Sequence, residues 1–126
     1  MSDGDLLLDR LTQILEALER IPRRFENITS PQDFYSTESG LEHLDSICMV
    51  LLAVGESFKQ INQKTEGNLL AAYPQIPWQE IMGLRNILAH VYFDVDEQQI
   101  YNICRDDIPQ LIEIVRLMIQ DLGEQS

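Results

Sequence analysis

Basic residues are scarce in this chain: nine lysines and arginines stand against 21 acids, for a net charge of −12. Bulk electrostatics therefore cannot hold nucleic acid, and any phosphate must be met by a local group of cations. Cysteine is scarcer still. Cys48 and Cys104 stand alone, with no CxxC and no clustering with the two histidines, so they read as reduced packing residues of a cytosolic protein. No metal site is expected, because His43 and His90 fall on different helical patterns without ligand spacing. Nothing points to a cofactor either. No run of 18 apolar residues occurs, so no membrane-spanning helix is expected. The opening Met1–Arg10 carries acids where a signal peptide would carry bases, which favours a cytoplasmic location. Alternating β-branched runs, internal repeats and linkers are also missing. With 126 residues there is room for one core, and 1–126 is read as a single domain.

What is present is helical periodicity. Leu7, Leu11, Ile14, Leu18, Ile21 and Phe25 recur at helical spacing and predict a first helix over about residues 5–24. Ser30-Pro31 reads as a capped start of a short turn through Tyr35. A long helix is expected over about 37–64, with Leu41, Leu44, Ile47, Cys48, Leu51, Val54, Phe58 and Ile61 inward. A short piece follows at Leu69–Ala72, and Tyr-Pro-Gln-Ile-Pro then separates it from a helix over about 77–92. Asp94 or Asp96 should cap a further helix to about Cys104, and Asp106-Asp107-Ile108-Pro109 should open the last, ending near Gly123. The fold class is all-α, an up-and-down bundle of about five helices.

The chemistry concentrates in Ile81–Asp96. Between Ile81 and Phe93 the only formally charged side chain is Arg85, accompanied by Asn86, His90 and Tyr92. On a helical wheel Ile81, Leu84, Leu88 and Val91 form one apolar stripe, flanked by Arg85 and Tyr92. Asn86 and His90 share the opposite side with Met82, Ala89 and Phe93. A helix apolar on both sides is buried on both sides, and a second copy of the chain is the simplest supplier of the second burial.

The string Arg85-Asn86-x3-His90-x-Tyr92 sits between Ile76-Pro77-Trp78 and Tyr92-Phe93-Asp94-Val95-Asp96. Asp107-Ile108-Pro109-Gln110-Leu111 follows, and Val54-Gly55-Glu56 precedes it in the long helix. In these elements nearly the whole chain resembles the HepT-like branch of the HEPN superfamily, ribonuclease toxins of prokaryotic toxin–antitoxin pairs. The resemblance implies a helical bundle that dimerises through the motif helix, and metal-independent cleavage of RNA in a cleft shared by two subunits. It implies Arg85 and His90 as the catalytic pair, with Asn86 in support. It also implies an antitoxin partner, a small nucleotidyltransferase of the MNT type, which would adenylylate Tyr92. Val91 departs from relatives that carry glycine between histidine and tyrosine; it adds bulk without removing a functional group.

The residue types fit that chemistry on their own terms. Cleavage without metal needs a base for the ribose 2′-OH, an acid for the leaving 5′-oxygen and a cation for the developing charge. Histidine titrates near the working pH, and arginine's fork matches phosphate. Arg85 and His90 lie about 140° apart on an ideal helix, so two copies related by a two-fold axis would complete one cleft. Other readings remain at this stage. His90 and Asn86 could be a satisfied polar pair in a dimer core, with Tyr92 merely packing. The chain could be a non-catalytic adaptor for a nucleotidyltransferase. Arg20, Arg23 and Arg24 could meet RNA or simply complement a helix C-terminus. Tyr73 and Trp78 could stack on bases, although core packing is the plainer expectation.

Overall fold

Helix α1 spans Asp3–Leu18, α2 Arg20–Phe25, α3 Asp33–Ser36 and α4 Glu38–Lys64. They are followed by α5 Asn68–Ala71, α6 Trp78–His90, α7 Glu97–Asn102, a π-helical turn Ile103–Asp107 and α8 Ile108–Gln125. The computed structural model describes residues 3–90, 94 and 96–125, the side chains of Ile87, Ala89, His90 and Gln125 aside; among these residues no strand occurs. The all-α bundle expected from the periodicity is what the chain forms.

Helix α4 is its axis. It touches α1, α2, α3, α5 and α6, while α8 covers α1 and the π turn. Leu44, Ile47, Cys48, Leu51, Val54, Phe58 and Ile61 point from α4 into the core as expected. Leu41 does not; it is 39% exposed. The N-cap is Thr37, whose hydroxyl accepts from the Gly40 amide at 2.9 Å. Such a cap contributes about 1 kcal/mol.

Several boundaries differ from expectation, each for a local reason. The single helix predicted to residue 24 is interrupted at Glu19. Pro22 has no N–H to offer Leu18, and its ring crowds that carbonyl. Near residue 30 the capping is reversed: the carboxylate of Asp33 accepts from Thr29 N and Oγ1 and from Ser30 N, and these bonds hold its pKa below the usual carboxylate value. Asp96, not Asp94, caps α7 through the amides of Gln98 and Gln99. The expected gap before Pro109 is instead a π turn in which Ile108 N–H donates to Ile103 O, five residues back. Pro109 cannot donate to Arg105, so the wider ring carries the chain past it into α8.

Both cysteines are free and buried in the core. Burial pushes the Cys48 thiol up to about 11, with Asp45 adding to it, and Cys104 up to about 12. Among the described residues no helix is long and apolar enough to cross a membrane.

Candidate functional site

The start of α6 is clamped by aromatic side chains. The Trp78 indole donates to the Tyr73 carbonyl at 2.8 Å and its ring lies 4.9 Å from that of Phe58. The Tyr73 hydroxyl donates to Asp121 of α8 at 2.7 Å. Burial and that carboxylate push the Tyr73 phenol up to about 12, so it stays a donor. Both aromatics are therefore core residues, not a stacking platform for bases. From this anchor α6 runs antiparallel to α4, burying Ile81, Leu84 and Leu88. Each such burial is worth roughly 1.5–3 kcal/mol.

Gly55 sets how closely the two helices meet. A Cβ there would lie 2.8 Å from the Ile81 carbonyl oxygen and 3.4 Å from the Arg85 amide nitrogen. The backbone turn that carries Arg85 thus rests directly on a glycine of α4. The next residue, Glu56, brings Oε2 within 3.3 Å of Arg85 Nε. That oxygen has no access to solvent and no hydrogen bond, so the contact is an ion pair out of hydrogen-bond alignment. Arg85 Nη1 also donates to Asn86 Oδ1 at 3.3 Å.

The Arg85 side chain remains 43% exposed and that of Glu56 40%. A pair this open contributes little to stability, 0–1 kcal/mol at most by the usual range for surface pairs. Its effect is on position: the guanidinium is tethered at the helix surface with part of its fork still facing water. Asn86 is exposed beside it. His90 is the last residue of α6; its side chain lies outside the described residues, as does the whole of Tyr92. The structure therefore joins Arg85 to Asn86 and adds Glu56, which sequence reasoning had not assigned. The available signal for Glu56 was a cation on α6 with no acid three or four residues away to answer it, Glu80 lying five residues back and so on another face.

A hollow beside α6, about 630 Å³, opens on another flank, between Glu80, Gly83, Leu84, Asp96, Asn102 and Asp107. Burial raises the Asp107 carboxyl, and Glu80 and Asp106 raise it further. No lysine or arginine lines it, so it does not suit a phosphate. Among the described residues no three metal-ligating side chains converge. Arg23 and Arg24 occupy the last turn of α2, as the dipole account predicts, but Arg20 is its first residue, where that account does not apply.

The close approach at Gly55 is testable. In a free helix, alanine would be favoured over glycine by about 1 kcal/mol. Here the added methyl meets backbone, which cannot rotate away, and such overpacking typically costs about 1–3 kcal/mol. Gly55→Ala is expected to lower the melting midpoint and to reduce any activity that depends on Arg85. A variant that melts higher and keeps full activity would show that the approach is not needed.

Comparison with known proteins places these residues in context. The family model described as "Ribonuclease HepT-like" matches residues 10–118. The chain is 30% identical over 103 residues to Probable ribonuclease HepT of Thermococcus cleftensis, covering 82% of this chain and 86% of that one. It is 32% identical over 73 residues to a candidate RNase of Methanocaldococcus jannaschii, covering 58% of this chain and 63% of the relative. A third relative, from the same archaeon, is named for both a gamma-glutamylcyclotransferase and a candidate RNase. It is 29% identical over 116 residues, 92% of this chain but 49% of its own length. No solved structure matches the chain.

Proposed function

The chain belongs to the ribonuclease HepT-like family, and from that premise we propose that it is a metal-independent endoribonuclease whose Arg85–His90 motif acts as the toxin of a toxin–antitoxin pair. The observation that carries this reading is Arg85: one cation on an otherwise uncharged face, tethered beside Asn86 yet open to solvent. In RNA cleavage its guanidinium would neutralise the phosphate as negative charge builds. The RNA phosphate would take over part of the contact that Glu56 makes in the free protein. His90 would move the protons, and Asn86 would support its ring.

Two copies of α6 across a two-fold axis would supply two arginines and two histidines, one histidine as base and the other as acid. Met82 and Asn86 leave the flank needed for such pairing incompletely covered within one chain. The strongly acidic surface suits a basic partner, and an MNT-type nucleotidyltransferase that adenylylates Tyr92 is the partner proposed. A non-catalytic adaptor would share that surface but would have no use for the Arg85–His90 pair.

The test is incubation of the purified chain with total and transfer RNA in the presence of EDTA. Cleavage should persist and leave 2′,3′-cyclic phosphate ends, because the 2′-oxygen is the nucleophile. Strict dependence on added magnesium or manganese would refute the acid–base mechanism. Absence of both cleavage and growth arrest would favour the adaptor.

A further inference from the structure

A second hollow, about 500 Å³, lies between the start of α1 and the end of α4. Its lining brings together two cations, Arg10 and Lys64, the apolar side chains of Leu6 and Ile61, and the polar Ser57 and Gln60. Leu6 is 53% exposed, more than core packing would leave it. Neither Arg10 nor Lys64 has a carboxylate partner among the described residues. In a chain with 21 acids and only nine bases, this one cavity gathers two cations that carry no ion pair among the described residues. Asp3 is the one acid in the lining.

The cavity shares helix α4 with the site already described. Glu56, which holds Arg85, is followed by Ser57, and Gln60 and Lys64 continue along α4 at four-residue spacing. At about 1.5 Å of rise per residue, Lys64 lies about 12 Å along the helix from Glu56. A single strand covers that distance in a few nucleotides.

We propose that this cavity is an RNA-binding subsite, in which Arg10 and Lys64 hold a backbone phosphate flanking the cut while an unstacked base rests on Leu6 and Ile61. The inference rests on the ribonuclease reading and extends it. It also answers the problem posed by the charge: a strongly acidic protein needs a local cation group to retain RNA, and Arg85 alone, shared with Glu56, is a weak one. Phosphate contacts fix register while apolar surface accepts any base, so the subsite would favour single strands without selecting sequence.

The experiment compares the parent, an Arg10→Glu/Lys64→Glu variant and a charge-conserving Arg10→Lys/Lys64→Arg variant. Each is titrated with a fluorescent, 2′-O-methylated single-stranded RNA across a salt series, and its kcat and KM are measured on the unmodified strand. Charge reversal should weaken binding about tenfold or more at low salt and flatten the salt slope by about 1, as expected for lost phosphate contacts. The loss should fall on KM and leave kcat in place. The charge-conserving variant should follow the parent. Equal affinity and slope in the charge-reversed variant, with its helical signal intact, would overturn the subsite while the parent's cleavage keeps the ribonuclease reading. A parent that neither binds nor cuts RNA would overturn both. Charge reversal that abolishes capture of the nucleotidyltransferase but leaves RNA binding untouched would assign the cavity to the protein partner and defeat the proposal.

Discussion

Replacing His90 with alanine is expected to abolish RNA cleavage, and Arg85→Ala to do the same, while helical signal and assembly persist. Loss of a positioned acid or base typically lowers rate by roughly 10²–10⁴-fold. Arg85 is more than a third exposed and its pair with Glu56 is open, so truncating it should leave the bundle standing. Chemistry and folding can thus be separated in one variant. The measurement is cleavage of a defined RNA beside circular dichroism and sedimentation. A His90→Ala protein that cuts like the parent would overturn the catalytic assignment. A monomer at micromolar concentration with undiminished activity would overturn the shared cleft.

The second large effect is regulatory. Attaching AMP to Tyr92, two residues beyond His90, would set a phosphodiester anion and a bulky base near Arg85. The anion would compete with RNA phosphate for the guanidinium, and the adenosine would fill the groove. Incubation with the proposed nucleotidyltransferase partner and ATP should therefore add the mass of one or more adenylyl groups and silence cleavage. Tyr92→Phe should cut RNA within about an order of magnitude of the parent, the scale of one lost hydrogen bond, and escape silencing. If Tyr92→Phe is modified and inhibited normally, the acceptor lies elsewhere. Tyr101 is the next tyrosine along, although its hydroxyl already donates to the Thr29 carbonyl at 3.1 Å.

The bundle was legible because its long helices carry their own period. Leu11, Ile14 and Leu18 of α1, and the stripe from Leu44 to Ile61 of α4, are buried where the spacing places them. Breaks were harder to read, because they depend on one missing donor each: Pro22 ends α1 early, and Pro109 is bypassed by a π turn. Arg85 and Asn86 stood out in sequence as polar residues on an apolar helix. The ion-pair partner of Arg85, Glu56, did not, since it sits 29 positions earlier among the ordinary acids of α4. The close approach at Gly55 sets the two helices near each other at that point, where Glu56 meets Arg85. Tyr92 and the side chain of His90 rest on the sequence argument alone.

Cys48 and Cys104 have a practical consequence. An alkylating reagent reacts with thiolate, not thiol, and both sulfurs are buried with their ionisation pushed well above neutrality. In the folded chain each is thus protected twice, by access and by protonation. Labelling can proceed only through molecules in which the core has opened around α4 or the π turn. The two thiols form a built-in clock for that opening, readable by mass without adding a probe, and its rate reports how often the scaffold beneath Arg85 comes apart.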